Sequence, residues 1–263
     1  MTSSVKTGAV VLTGNEDSLF SMLRVVVTDL HLGTTVRVAG GWVRDKLLYG
    51  SGKDDVDICL DNMTGEQFCH HINEWAKTRG KAGFKFGVIQ SNPEKSKHLA
   101  TATVKINGLE VDFVNLRSET YVENSRIPLV EFGTPLEDAR RRDLTVNSLF
   151  YNIHTDEVED YTGFGLEDMR NRVLRTPLDP YVTLIDDPLR AFRVLRFACR
   201  LRFTITPPLL QACSSPEVVA SLTAKVSRER ILKETEGTLT GDTEQSSRAV
   251  YLLHRLGLLR CLL

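Results

Sequence analysis

"GGWVRDKLLYGSGKDDVDICL", residues 40–60, decides the fold. The two glycines close a β-branched run, VRVA at 36–39, and a short helical pattern, WVRDKLLY, follows and stops at Gly50. The next apolar run, DVDICL, carries aspartates two positions apart. These signals give the order strand, glycine turn, helix, strand. Residues i and i+2 of a strand share a face, so Asp55 and Asp57 stand roughly 7 Å apart on one side. Val56 and Ile58 take the other side and anchor the strand.

Two unpaired carboxylates at that spacing repel each other, and a dication between them removes the conflict. A third, Asp112 in LEVDFVNLR, lies on a later strand pattern able to pair alongside. Three carboxylates on neighbouring strands suit Mg²⁺ and the two-metal chemistry of phosphoryl or nucleotidyl transfer. Gly40 and Gly41 then acquire a purpose: they expose backbone amides at a helix start, where phosphate oxygens bind, and Arg44 one turn in adds charge. A lone D-x-D is usually a solvated turn, and a lone G-G merely a bend. Their combination in this context favours a catalytic reading.

The 263-residue chain as a whole is 41% hydrophobic and 25% charged, enough for one large domain or two small ones. Formal net charge is −1, which gives no global pull toward nucleic acid. The arginines are nevertheless concentrated: eighteen of twenty-two fall from Arg117 onward, against two of eleven lysines, which leaves room for a local arginine-rich surface. The five cysteines form no C-x-x-C pair and read as buried hydrophobes in a reducing compartment. No stretch approaches the roughly 18 apolar residues of a membrane span, and the N-terminus carries no targeting pattern, so a cytoplasmic location is expected, with mitochondrial or nuclear pools open.

Helical spacing over 15–32 precedes the first strand, with Asn15 as the cap. A helix capped by Thr64 and two strands near ATATVKI and LEVDFVNLR follow the second. Residues 118–137 read as a long loop. Strand signals nearly vanish after residue 160. The expected fold is α+β: a mixed sheet flanked by helices over residues 1–160, then an all-helical part over 161–263.

Several stretches together, "RVAGGWVRDKLLYGSGKDDVDICLD", "NPEKSKHLATATV", "VDFVNLRSETY", "GTPLEDARRRDLTVNSLFYN" and "DDPLRAFRVLRFACR", closely resemble the class II tRNA nucleotidyltransferases, the CCA-adding enzymes, in their eukaryotic branch. The resemblance runs from about residue 10 to the end, with motifs in the family's order. It implies a polymerase-β-like head and a helical neck, with Asp55 and Asp57 as metal ligands and Asp112 as the third catalytic carboxylate. It also implies addition of C and A to the tRNA 3′ end from CTP and ATP, with Mg²⁺ as cofactor. Bacterial poly(A) polymerases share this head and are the alternative, as are enzymes adding only CC or only A. A nucleotide- or RNA-binding module is the non-enzymatic alternative. Family members continue into body and tail domains that grip tRNA, so that region is expected to be missing here.

Within the resemblance, RRDLTVN (141–147) matches the motif that handles the ribose. A helix there would set Asp143 and Asn147 on one face for the sugar hydroxyls, with Arg142 meeting phosphate. In DDPLRAFRVLRFACR, helical register puts Asp187 beside Arg190, and Arg193 and Arg196 along the same flank as further nucleotide-binding groups. An Asp accepts hydrogen bonds and an Arg donates them, so the pair selects a donor next to an acceptor. Cytosine and adenine both present that order, whereas uracil and guanine do not. SRERILKE (227–234) matches the neck motif, in which Glu229 and Arg230 brace the base-reading helix, and the 118–137 loop takes the place of the element that switches C to A.

Overall fold

The computed structural model describes residues 10–51, 55–89, 101–120 and 129–262. They form two compact units. The first takes the described chain up to Thr120, residues 129–139 and Asn147–Gly163; the second takes residues 140–146 and everything from Phe164 on. The division is therefore not a single cut near residue 160, because the turn at 140–146 clusters with the helical unit.

The first unit opens with α1 (Gly14–Asp29). Its cap is Thr13 rather than Asn15: the Thr13 hydroxyl accepts the Glu16 amide while the Glu16 carboxylate accepts the Thr13 amide, a reciprocal capping box. Then come β1 (Val36–Ala39), α2 (Gly41–Tyr49), β2 (Asp55–Leu60) and α3 (Gly65–Thr78). Gly50 ends α2 in the left-handed conformation at φ 68°, and Thr64 caps α3. β3 (Phe86–Ile89), β4 (Thr101–Ile106) and β5 (Leu109–Asn115) complete one half of the sheet. β3 was not expected; its FGVI is short and glycine-containing, and it lies at the sheet edge.

Where the sequence suggested a long loop, β6 (Arg117–Thr120) and β7 (Leu129–Phe132) form an antiparallel ribbon, with Arg117 opposite Phe132. Gly133 closes its base: its amide bonds the Leu116 carbonyl at 3.0 Å, and a Cβ there would meet the Arg117 backbone at 2.4 Å. Residues 121–128 of that expected loop lie outside the described residues. The unit ends with α4 (Pro135–Arg140), β8 (Phe150–Asn152) and β9 (Glu157–Glu159).

The seven strands order as β3-β4-β5-β2-β1-β8-β9. β2 and β5 pair in parallel, and the other five neighbouring pairs are antiparallel. A parallel pair needs a crossover, here supplied by α3, β3 and β4. α3 packs on β4 and β5 so closely that a Cβ on Gly65 would fall 2.0 Å from the Phe113 carbonyl oxygen. Phe68 meets Phe113 edge to face at 5.2 Å, and Val38, Val56, Ile58 and Val111 fill the same buried layer.

The second unit is helical, with one short parallel pair. It contains α5 (Gly165–Asn171), β10 (Val173–Leu174), α6 (Pro180–Asp186), α7 (Arg190–Leu201), β11 (Thr204–Ile205), α8 (Pro207–Cys213), α9 (Pro216–Lys225), α10 (Arg228–Leu239) and α11 (Thr243–Arg255). Asp179, Thr206 and Ser215 each precede a proline at the first helical position, which sets the starts of α6, α8 and α9. α7 is the hub: Phe192, Leu195 and Cys199 are fully buried, and it packs on α6, α10 and α11. All five cysteines are buried, and burial pushes the Cys213 thiol up to about 12. Among the described residues no helix is long and apolar enough to cross a membrane.

Candidate active site

In the first unit, strand alternation places the carboxylates as the sequence requires. Val56 and Ile58 are buried while Asp55 and Asp57 are exposed. The parallel register pairs Asp57 with Asp112 and Asp55 with Glu110. Both pairs share the open face, since Val111 and Phe113 alternate to the buried one. Glu110 is an acidic neighbour that the sequence reading did not include, although its i−2 relation to Asp112 signals the shared face. Toward the other end of this face, Cys59 and Val114 join Ala39, Leu116, Ala139, Phe150 and Tyr161 in an apolar cluster, so the carboxylates lie beside an apolar floor.

Asp55 and Asp57, the two expected metal ligands, and Asp112, the third expected carboxylate, do not form a ready-made cage: among the described residues no group of three His, Cys, Asp or Glu could hold a metal ion. Asp112 is directed at the neighbouring strand, where its Oδ1 accepts the Thr103 hydroxyl at 2.6 Å. The donor set, all carboxylate oxygen on adjacent exposed positions, still suits a hard dication.

The glycine turn follows β1, whose Val38 pairs with Ile58 next to Asp57. Gly40 sits at φ 67°, ψ −119°, outside the ordinary range of residues bearing a Cβ. Its amide bonds the Leu149 carbonyl at 3.0 Å and is therefore not turned toward a ligand as expected, while the amides of Gly41 and Trp42 precede the first intrahelical donor, Arg44. Arg44 is buried rather than presented as a surface charge. Its Nε donates to Asp45 Oδ1 at 2.7 Å, its Nη1 to Asn147 Oδ1, and its Nη2 lies 3.6 Å from where a Gly41 Cβ would stand. Arg44 and Asn147, expected to meet the nucleotide separately, thus hold each other under the turn.

RRDLTVN, all but its last residue in the second unit, is not one helix. α4 stops at Arg140 and a 3-10 turn spans Thr145–Asn147, so Asp143 and Asn147 do not share a helical face and fall in different units. The Arg141 carbonyl, which a continuing helix would use for the Thr145 amide, accepts Arg190 Nη2 at 2.7 Å; the Thr145 amide goes to the Arg175 carbonyl at 2.9 Å. Asp143 Oδ1 accepts the next amide, Leu144, at 2.8 Å, the local bonding that ends helices. Arg142, half-buried, sits in this turn.

Asp187 and Arg190 also differ from expectation. α7 begins at Arg190, because Pro188 forces Asp187 into an extended conformation at φ −133°, ψ 96°. The two are linked by a turn, the Arg190 amide donating to the Asp187 carbonyl at 3.0 Å. Asp187 Oδ1 accepts the Leu189 amide at 3.3 Å, and its Oδ2 lies 3.7 Å from Arg230 Nη2. Arg193 places Nε and Nη2 on Asp143 Oδ2 at 2.8 and 2.7 Å, and this carboxylate raises the guanidinium's pKa further. Arg196 bonds Glu234 Oε2 at 2.6 Å, with Arg193 Nη1 3.6 Å from Glu234 Oε1. Of the expected braces Arg230 meets Asp187, but Glu229 is exposed and Glu234 takes the second place. The i, i+4 spacing of Arg230 and Glu234 on α10 was the available signal.

A mixed sheet with carboxylates on adjacent strands beside a strand–glycine–helix turn defines a nucleotidyltransferase-type head. The chain belongs to the family of the poly A polymerase head domain, which matches residues 36–175. It is 54% identical over 213 residues to the mitochondrial CCA tRNA nucleotidyltransferase of Saccharomyces cerevisiae, covering 80% of this chain and 39% of that protein. It is 48% identical over 243 residues to the protein of the same name from Candida glabrata, covering 88% and 45%. The solved structure of a tRNA nucleotidyltransferase complexed with a primer tRNA and an incoming ATP analog superposes with a TM-score of 0.67 at 28% identity, over 91% of this chain and 62% of that one. The chain spans less than half the length of these two curated relatives. Nucleotidyltransferases of this family use divalent metal ions.

Proposed function

We propose that this chain transfers CMP and AMP from CTP and ATP to the 3′ end of tRNA without a nucleic acid template, releasing pyrophosphate. The observation that carries the reading is the in-register pair of Asp57 and Asp112 on the open face beside the Gly40 turn. Asp55 and Asp57 would hold Mg²⁺, which when bound screens the triphosphate and favours the ionised form of the attacking hydroxyl. The amides of Gly41 and Trp42 bind phosphate oxygens at the start of α2. Asp112, held by Thr103 through Oδ1, takes the proton of the RNA 3′-hydroxyl as its oxygen bonds the α-phosphorus and the bond to pyrophosphate breaks.

Base choice belongs to Asp187 and Arg190. The carboxylate accepts the exocyclic amine of C or A, and the guanidinium donates to the adjacent ring nitrogen; U and G oppose like with like. Asp187 is held by Arg230, and Arg190 is oriented by the Thr183 and Arg141 carbonyls. Arg193 and Arg196, tied to Asp143 and Glu234, and Arg142 supply the positive surroundings for phosphate, Asp143 contacts the sugar, and Asn147 serves the glycine turn by holding Arg44.

Incubation with tRNA lacking its 3′ end, Mg²⁺ and each labelled nucleotide tests this. Two C and one A, then arrest, is the expected result. Long A tails without C would make it a poly(A) polymerase, A added only to a CC end would make it a partial enzyme, and binding without transfer would leave a binding module. The cytoplasmic placement read from the sequence stands beside relatives named mitochondrial. Imaging the tagged protein against a mitochondrial marker decides between them.

A further inference from the structure

The turn carrying Asp143 is held by a carboxylate that the groups described above do not include. Asp168 on α5 is 0% exposed. Its Oδ2 accepts the hydroxyl of Thr145, also 0% exposed, at 2.6 Å, and Arg175 Nη2 lies 3.1 Å from its Oδ1. The backbone closes the loop: the Arg175 carbonyl accepts both the Thr145 amide at 2.9 Å and the Thr145 hydroxyl at 3.3 Å. The Arg175 guanidinium also stacks on the ring of Phe164, the residue that starts α5, at 4.5 Å.

A carboxylate buried this deeply is costly unless charge and hydrogen bonds compensate, and an apolar side chain would fill the same space at lower cost. What the polar arrangement adds is direction. Thr145 is fixed at its amide and its hydroxyl, two residues from Asp143. The Asp143 carboxylate is fixed in turn by the Leu144 amide and by Arg193. The clasp and Arg193 therefore fix one short turn from its two sides.

We propose that Asp168 is a positioning residue which, through Thr145, directs the Asp143 carboxylate at the ribose of the bound nucleotide and so contributes to the choice of ribonucleotide over deoxyribonucleotide. The inference rests on the reading of the chain as a CTP and ATP transferase whose Asp143 contacts the sugar. A misdirected carboxylate still accepts hydrogen bonds, but away from the hydroxyl it should meet, so the loss falls on substrates that carry that hydroxyl.

The test compares kcat/KM for CTP and for 2′-deoxy-CTP in the unaltered chain and in D143N, D168N, T145V and T145S, each with a melting curve. D168N and T145V are expected to lose about tenfold of the preference for CTP, the scale of one well-placed hydrogen bond, with KM for CTP rising more than kcat falls. T145S, which keeps the hydroxyl, restores the preference. A change in melting temperature alone would not move this ratio. Should D168N fail to fold, T145V against T145S decides. An unchanged preference in a folded T145V, or a T145S as impaired as T145V, overturns the proposal. If D143N keeps the preference, the sugar contact itself is refuted; if the unaltered chain transfers nothing, the transferase reading is.

Discussion

Asp57 and Asp112 are Cα partners across the parallel β2–β5 pair, their side chains on the open face and their sequence neighbours Val56, Ile58, Val111 and Phe113 in the core. Neither position is local to the other: α3, β3 and β4 must be in place before the register exists. The backbone therefore sets the pair, and the side chains need only be short and acidic to share it.

Replacing either carboxylate by its amide should lower CMP transfer by on the order of 10²–10³-fold, the scale of removing one group that stabilises developing charge. Melting temperature should hardly move, because Asp57 is exposed and Asp112 only half-buried. Thr103→Val leaves Asp112 in place without its donor and should cost less, about tenfold. Single-turnover incorporation of labelled CMP gives these values; near-normal turnover in Asp57→Asn would remove the basis of the proposed chemistry.

Base selection should fail separately from chemistry. Asp187→Ala removes the acceptor that opposes the carbonyls of U and G, so the preference for CTP over UTP should fall by about 10²-fold. Arg230→Ala, which only loosens Asp187, should give a smaller loss of the same kind. Competition between labelled CTP and UTP measures both, and a general loss of turnover with selectivity intact would point to folding instead.

Gly65 is a steric requirement, since a methyl group there would sit 2.0 Å from the Phe113 carbonyl oxygen. Gly65→Ala must displace α3 from β5, at a cost of about 3 kcal/mol. Urea unfolding shows whether it does; an unchanged midpoint would mean that α3 does not pack there.

The sequence made the carboxylate face legible because strand alternation has a period of two and the burial of Val56 and Ile58 follows it. Thr64 and Gly50 likewise announced their helix ends through local chemistry. The turn at 141–147 was not legible, because the α4 helix ends where Arg190 reaches the Arg141 carbonyl, a partner far along the chain. The break before α7 was legible and missed: Pro188 alone excludes a helix running through Asp187. Pairing of Asp57 with Asp112, and of Arg196 with Glu234, depends on strand register and helix packing that no local pattern encodes.

Glu16 and Lys46 form a buried ion pair joining α1 to α2, Nζ to Oε2 at 2.6 Å, with Trp42 Nε1 donating to Oε1 at 2.8 Å. Burial acts to raise the Glu16 pKa, but the bonds from Lys46, Thr13 and Trp42 outweigh it and hold the carboxyl below its ordinary 4.5. The folded state then binds this proton less readily than the unfolded chain. The stabilisation it represents is complete above about pH 4.5 and is lost as pH falls through the lower folded value. Lys46→Met leaves a buried carboxylate without its cation and should cost about 3–5 kcal/mol at pH 7. It also removes the strongest lowering contribution, so the Glu16 pKa rises and the acid-induced loss through this group shrinks or reverses. Adding Glu16→Gln to Lys46→Met should recover part of the stability, because the amide keeps an acceptor without a charge. Urea unfolding of the three proteins at pH 7, 5 and 4 checks both the order and the pH dependence; a double variant less stable than Lys46→Met alone would show that the charge of Glu16 does not need Lys46.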